Sequence, residues 1–140
     1  MRPVIILLPA ALAAASLLAC VPVEPQVTAR QDYKTFCVNC HGEDGRGDGI
    51  LAASLSPPPA DLTQIAARNG GTFPTTQVMS VIDGYTRGQH ANAVRTEMMP
   101  EFGTLLEGRS VLYDDGLGGP PVPVPERLLQ LAQYLERMQD

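Results

Sequence analysis

Cys37-Val38-Asn39-Cys40-His41 places two thiols three positions apart, with a histidine directly behind the second. Side chains at i and i+3 share one face of a helical turn. From there each thiol can add to one vinyl group of a porphyrin. His41 follows where its imidazole can supply the proximal nitrogen ligand of the iron. The pattern is that of covalent haem c attachment through Cys37 and Cys40, with His41 on the metal. Rival chemistries explain fewer of the five residues. A thioredoxin-like dithiol needs a βαβ pattern around it, and zinc needs two more Cys or His ligands at a second knuckle. Neither is present in the sequence.

Aromatic residues make up 5 % of the 140 residues, and Trp is absent. Such a sequence is short of large apolar bodies for a core. A buried porphyrin would supply one, acting as the staple that small domains need.

Working outward toward the N-terminus, Arg2 is followed by an apolar run from Val4 to Leu18, interrupted by Pro9 and Ser16. This is a signal-peptide h-region, short of the ~20 residues a membrane-spanning helix needs. It ends in Leu17-Leu18-Ala19-Cys20, which resembles the lipobox of bacterial lipoproteins, in which the cysteine is acylated and begins the mature chain. The sequence has three cysteines; with two used by haem, acylation of Cys20 accounts for the third. Two or three acyl chains anchor a protein stably where one binds marginally. Ordinary cleavage near Ala19 with Cys20 left free, or an uncleaved anchor helix, are the alternatives. In each case the domain is exported, as haem c attachment in bacteria requires. Residues 21–29 are Pro-rich without periodicity and form a tether.

Near Arg30 a short helix is predicted, with Tyr33, Phe36 and Cys37 on one face. Behind His41 lies Gly42-Glu43-Asp44-Gly45-Arg46-Gly47-Asp48-Gly49. A phosphate-binding loop would close with Gly-Lys-Ser/Thr after a strand, and this run has no lysine. An EF-hand register from Asp44 would put Leu55 where the bidentate Glu belongs. Arg46-Gly47-Asp48 matches a cell-adhesion tripeptide, but three residues in a glycine-rich turn coincide easily. A tight loop wrapping the haem edge is the expectation.

Tyr33-x-x-x-Cys37-x-x-Cys40-His41-Gly42-x-Asp44-Gly45-x-Gly47-Asp48-Gly49, followed by Pro57-Pro58-Pro59-Ala60-Asp61-Leu62-Thr63, resembles the bacterial class I cytochromes c. The likeness runs over roughly residues 29 to 138. It implies an all-α fold of about four to five short helices wrapped around one haem, with the first and last helices crossing. It also implies that a backbone carbonyl of the proline-rich loop accepts the second N–H of the proximal histidine, which fixes the ring. The usual proline is replaced by Ala60, and the accepting carbonyl is that of Pro59 or Ala60.

Further along, Asp61 to Arg68 reads as a short helix stopped by Asn69-Gly70-Gly71. Thr75 or Thr76 is predicted to cap another, which packs Val78, Val81 and Ile82 inward and ends at Gly84, with Met79 as core filling. The distal iron ligand is expected in Thr96-Glu97-Met98-Met99-Pro100-Glu101-Phe102-Gly103, because a thioether paired with histidine is the ligand set that raises a haem potential. Pro100 disfavours the α conformation at Met99 and holds the loop extended. That favours Met99, with Met98 the alternative, and the family pattern Met-Pro-x-aromatic-Gly also falls on Met99. His90 is the competing ligand of another type and would give a lower-potential, bis-histidine iron.

Residues 104–125 read as a Gly/Pro-rich loop insertion, with Val122-Pro123-Val124-Pro125 extended or polyproline-like. Leu128, Leu131, Leu135 and Met138 then form the stripe of a final helix. The resemblance sets Tyr134 and Leu135 against Tyr33 where the end helices cross, with Ala29 as the small residue there. The organisation expected is a lipoprotein signal peptide over 1–19, an anchored tether over 20–29 and a cytochrome c domain over 30–140.

Without Arg2 the chain carries nine basic and fifteen acidic residues, a net charge of −6, and its one lysine is Lys34. No basic patch is available for nucleic acid. Nor is there a lysine ring of the kind mitochondrial cytochromes c use for docking. Redox protein partners are expected to dock at the exposed haem edge through weak, largely apolar contact, steered by their own basic residues. The function expected is one-electron transfer by a monohaem c-type cytochrome, not an enzyme, tethered through Cys20 to the periplasmic side of a bacterial membrane, or soluble there if Cys20 is not acylated. The alternatives are a haem subunit dedicated to one dehydrogenase or oxidase complex, and a haem enzyme or ligand sensor with a displaceable sixth ligand.

Overall fold

The computed structural model describes residues 28–85 and 99–140. Cys20, His90 and Met98, with the signal peptide and most of the tether, lie outside the described residues.

Thr28 opens the first helix, α1 (Ala29–Phe36), with a capping box. Its side chain accepts from the Gln31 backbone, and the Gln31 side chain accepts from the Thr28 N–H at 2.8 Å. Two donors that a helix start leaves bare are satisfied in this way. Cys37 ends α1 and begins α2 (Val38–His41), and its carbonyl accepts from His41 N–H at 2.9 Å. Asp61 caps a 3₁₀ turn (Leu62–Gln64) by accepting from Thr63 N and Oγ1, and α3 (Ile65–Arg68) follows. The helix predicted over 61–68 is thus two short pieces, with its first residue outside as the cap. The next helix, α4 (Thr75–Asp83), starts one residue earlier than its threonines suggest. Pro74 occupies the cap position and neither Thr75 nor Thr76 caps it. Gly84 ends it at φ 100°, a conformation that favours a residue without Cβ.

The 104–125 segment differs from the loop expected. Ser110–Tyr113 (β1) and Val122–Pro125 (β2) pair antiparallel, with Val111 opposite Val124 and Tyr113 opposite Val122. The physical reason is in the prolines. They keep β2 extended and, falling on alternate residues, leave the Val122 and Val124 N–H groups free to face β1. The architecture is therefore five α-helices with one small two-stranded sheet among the described residues.

The last helix, α5 (Glu126–Glu136), lays Leu128, Leu131, Ala132 and Leu135 into the core. It packs on both α1 and α4. Tyr134 meets Tyr33 of α1 with ring centroids 5.4 Å apart. Ala29 is half-buried, whereas Ala132 is sealed completely. Met79 is buried, and so is Leu106, which no sequence pattern singled out. Full burial of a Leu side chain such as Leu106 or Leu131 contributes about 1.5–3 kcal/mol. One ion pair crosses between the ends of the chain. Arg127 of α5 forks onto Asp32 of α1 through Nε at 3.1 Å and Nη2 at 2.5 Å, and its Nη1 reaches the Leu105 carbonyl at 3.0 Å. Asp32 is 2 % exposed. Among the described residues no helix is long and apolar enough to cross a membrane.

Candidate haem-binding site

Cys37 enters the site from the end of α1, and His41 from the last position of α2. Their backbone is held from behind by the glycine-rich loop. Gly47 N–H donates to the His41 carbonyl at 2.8 Å, Gly49 N–H to Cys40 at 3.1 Å, and Leu51 N–H to Asn39 at 2.8 Å. These are the carbonyls that the end of α2 leaves without helical partners. The loop wraps the motif's own backbone and supplies the missing donors. Glycine is needed at 49 for this approach, since a Cβ there would collide with the Val38 and Asn39 carbonyl oxygens. Tyr33 ties the same turn to α1 by donating its buried hydroxyl to the Gly42 carbonyl at 2.8 Å. Burial foremost, then the nearby Cys37, Tyr134, Asp44 and Asp48, push the Tyr33 pKa further up, so the hydroxyl remains a donor.

His41 Nδ1 lies 2.9 Å from the Ala60 carbonyl oxygen. A carbonyl can only accept, so Nδ1 carries the proton and Nε2 keeps its lone pair. Of the two carbonyls left open by the sequence, Ala60 is the one used. The bond survives without proline at that position because the main chain makes it. Burial lowers the pKa of His41 and the Ala60 bond works partly against that shift. The result favours the neutral imidazole, the form that ligates metal.

Met99 reaches the cavity from a segment anchored on α4. Phe102 N–H donates to the Ile82 carbonyl at 3.0 Å, and the Phe102 ring packs into the core 5.6 Å from that of Phe36. Met99, three residues before this anchor, is half-buried against the core. Cys37, His41 and Met99 line one cavity of about 310 Å³. Its apolar walls are Leu62, Ile65, Val78, Val81, Ile82 and Leu135; Arg68, Asn69 and Gln77 bring polar groups to it. Cys40 is half-buried in the same turn as Cys37, to which it is not joined by a disulfide. Burial, followed by the nearby Asp32 and Cys40, pushes the Cys37 thiol up to about 12. Reactive dithiols work through a lowered thiol pKa, so this environment does not suit disulfide exchange. Among the described residues no group of three His, Cys, Asp or Glu is arranged to hold a metal ion.

The tail of the chain braces the cavity wall. Gln139 donates to the Leu62 and Leu135 carbonyls and accepts from Ala66 N–H, and Asp140 takes Gln64 at 2.9 Å and Arg46 at 3.1 Å. Arg46 of the Arg-Gly-Asp tripeptide is therefore engaged within the domain. No periodicity marked Gln139, Asp140 or the Asp32–Arg127 pair; each acts through a partner far away in sequence.

The sequence model of the family described as Cytochrome c matches residues 27–110, more than half of the chain. The chain belongs to the cytochrome c family. Neither a curated protein nor a solved structure matches it. The matched span holds the Cys37–His41 motif, the Ala60 loop and Met99, and stops at the start of β1, so β2 and α5 lie beyond it. Haem c, covalently attached, is the cofactor of this family, and the cytochrome is a haem-based electron-transfer protein. The residues present fit that group. Cys37 lines the cavity with Cys40 in the same turn, an oriented imidazole offers a free Nε2, and apolar walls suit a porphyrin face. Arg68, Asn69 and Gln77 are suited to its carboxylates.

Proposed function

We propose that this cytochrome is a one-electron carrier, exported and held by a lipid on Cys20 at the periplasmic side of a bacterial membrane, with Cys37 and Cys40 as the residues that would bond haem and His41 and Met99 as those that would hold its iron. The observation that carries the ligand assignment is that Met99 and His41, from opposite ends of the matched span, line the same apolar cavity. When bound, haem supplies an iron that alternates between ferric and ferrous states. The protein keeps the iron's surroundings constant through that change. Ala60 fixes the His41 ring, the Phe102 anchor holds the loop that carries Met99, and apolar walls line the cavity between them. With His41 and Met99 both supplied by the chain to hold the iron, little of the protein would have to rearrange on transfer. Redox partners dock at the haem edge by short-lived apolar contact, guided by their own positive charge toward an acidic protein.

The spectrum of the purified ferric protein tests the ligands. A near-infrared thioether-to-iron band is expected in the wild type and is expected to vanish in Met99→Ala. A high-spin, five-coordinate spectrum in the wild type would overturn the carrier assignment in favour of a haem enzyme or sensor. Mass spectrometry of the membrane-extracted chain tests the anchor, with acylated Cys20 as the mature N-terminus the expected species.

A further inference from the structure

Four of the seven large apolar side chains exposed among the described residues fall between positions 105 and 122: Leu105, Leu112, Leu117 and Val122. Leu112 is 74 % and Leu117 86 % exposed. Leu112 and Val122 stand on the β1–β2 hairpin and Leu117 in the turn that joins them, followed by exposed Pro120 and Pro121. No residue of this hairpin lines the haem cavity. Grouped apolar exposure of this kind marks a contact surface.

Where the chain enters the domain says what that contact is. Thr28 starts α1, and Cys20 stands eight positions before it. Eight residues fully extended reach about 28 Å. A domain of about 100 residues is roughly 34 Å across, from its radius of gyration of about 13 Å. With the cysteine in lipid, the start of α1 is held closer to the bilayer than one domain diameter. The root of the hairpin sits beside that start. Asp32, one turn into α1, holds Arg127, which also binds the Leu105 carbonyl, and the neighbouring Glu126 N–H donates to the Arg109 carbonyl at 2.8 Å. The hairpin springs from Arg109 and Glu126, which are further joined by their side chains at 2.6 Å.

We infer that the β1–β2 hairpin rests its apolar turn, at Leu117, and the strand face on which Leu112 stands opposite exposed Pro123 in the interfacial layer of the bilayer, as a second foothold beside the lipid on Cys20. This rests on the proposed acylation of Cys20. The lipid surface it fits is electrically neutral, because residues 110–125 carry Asp114 and Asp115 and no Lys or Arg. Both aspartates turn back on the loop, accepting from Gly116 N–H at 2.8 Å and Leu117 N–H at 2.9 Å, which partly satisfies their charge near a surface. Two footholds limit rotation about the tether and leave the haem cavity, which the hairpin does not touch, free for partners.

The chain has no tryptophan, so Leu117→Trp places a single indole at the turn, and Glu136→Trp places one at the far end of α5 as a control. The full-length, haem-loaded, membrane-extracted chains are reconstituted on phosphatidylcholine vesicles with brominated acyl chains. Their masses are recorded in the same preparations. Emission from Leu117→Trp is expected to fall at least twofold more than that of Glu136→Trp, and adding Leu112→Glu is expected to abolish the difference. Equal quenching at the two positions in acylated, vesicle-bound protein overturns the foothold and leaves the anchor standing. An unacylated mass overturns the anchor, and the foothold with it.

Discussion

Replacing Arg127 with methionine isolates the charge pair that, among the described residues, has its carboxylate enclosed by the core. Methionine keeps most of the stem that Arg127 lays along α5 and removes the guanidinium, leaving the Asp32 carboxylate 2 % exposed and without its cation. Breaking a buried pair from one side costs about 3–5 kcal/mol, since the remaining charge has lost its solvation and its partner together. The Arg127 side chain is 30 % exposed, so water can follow into the space it vacates, and the lower end applies, about 3 kcal/mol. For a domain of this size that is a fall in Tm of about 12 °C, at roughly 4 °C per kcal/mol. Guanidinium and thermal denaturation of the haem-loaded chain, followed by far-ultraviolet circular dichroism, measure the free-energy cost and the fall in Tm. The second arm is Asp32→Leu with Arg127→Met. With both charges gone, no group is stranded, and stability is expected to return to within about 1 kcal/mol of the wild type. A cost below about 1 kcal/mol for Arg127→Met, or a double variant no more stable than the single one, would show that the pair does not hold α1 to α5.

Gly49→Ala forces a Cβ onto the Val38 and Asn39 carbonyls, and is expected to destabilise the domain by about 1–3 kcal/mol, read as a lower denaturation midpoint. Tyr33→Phe removes the donor to the Gly42 carbonyl, and about 1–2 kcal/mol of stability should go with it in the same measurement. Asp61 carries a pH signature. Its pKa is lowered in the fold, first by the Thr63 hydroxyl and further by the Thr63 N–H, against some desolvation. A depressed carboxyl pKa contributes stability that is present above its unfolded value of about 3.9 and is lost as pH falls through the folded value. Melting curves of the wild type and Asp61→Ala should therefore differ at pH 7 and draw together as pH falls below about 4.

Much of the site is legible in the sequence because its chemistry is local. Cys37, Cys40 and His41 share one turn, the glycines behind them announce a tight loop, and Met99-Pro100-Glu101-Phe102-Gly103 is a contiguous signature. The amphipathic stripes of α1, α4 and α5 follow from a 3.6-residue period and each reaches the core. Boundaries were less legible. The start of α4 depends on whether a threonine hydroxyl or the preceding proline takes the cap position, and both occur among neighbouring residues. The hairpin was hidden because Val122-Pro123-Val124-Pro125 is extended with or without a partner, and only the fold supplies Ser110–Tyr113 opposite it.

By itself the sequence determined the cofactor chemistry, the helices and the cytochrome c resemblance, since these rest on residues a few positions apart. The tertiary structure decided what depends on distant segments meeting. It set Met99 and His41 on one cavity and chose the Ala60 carbonyl to orient the imidazole. It also buried Asp32 against Arg127 across the length of the domain. Such contacts leave no periodic trace along the chain, because each partner is selected by where the fold brings it.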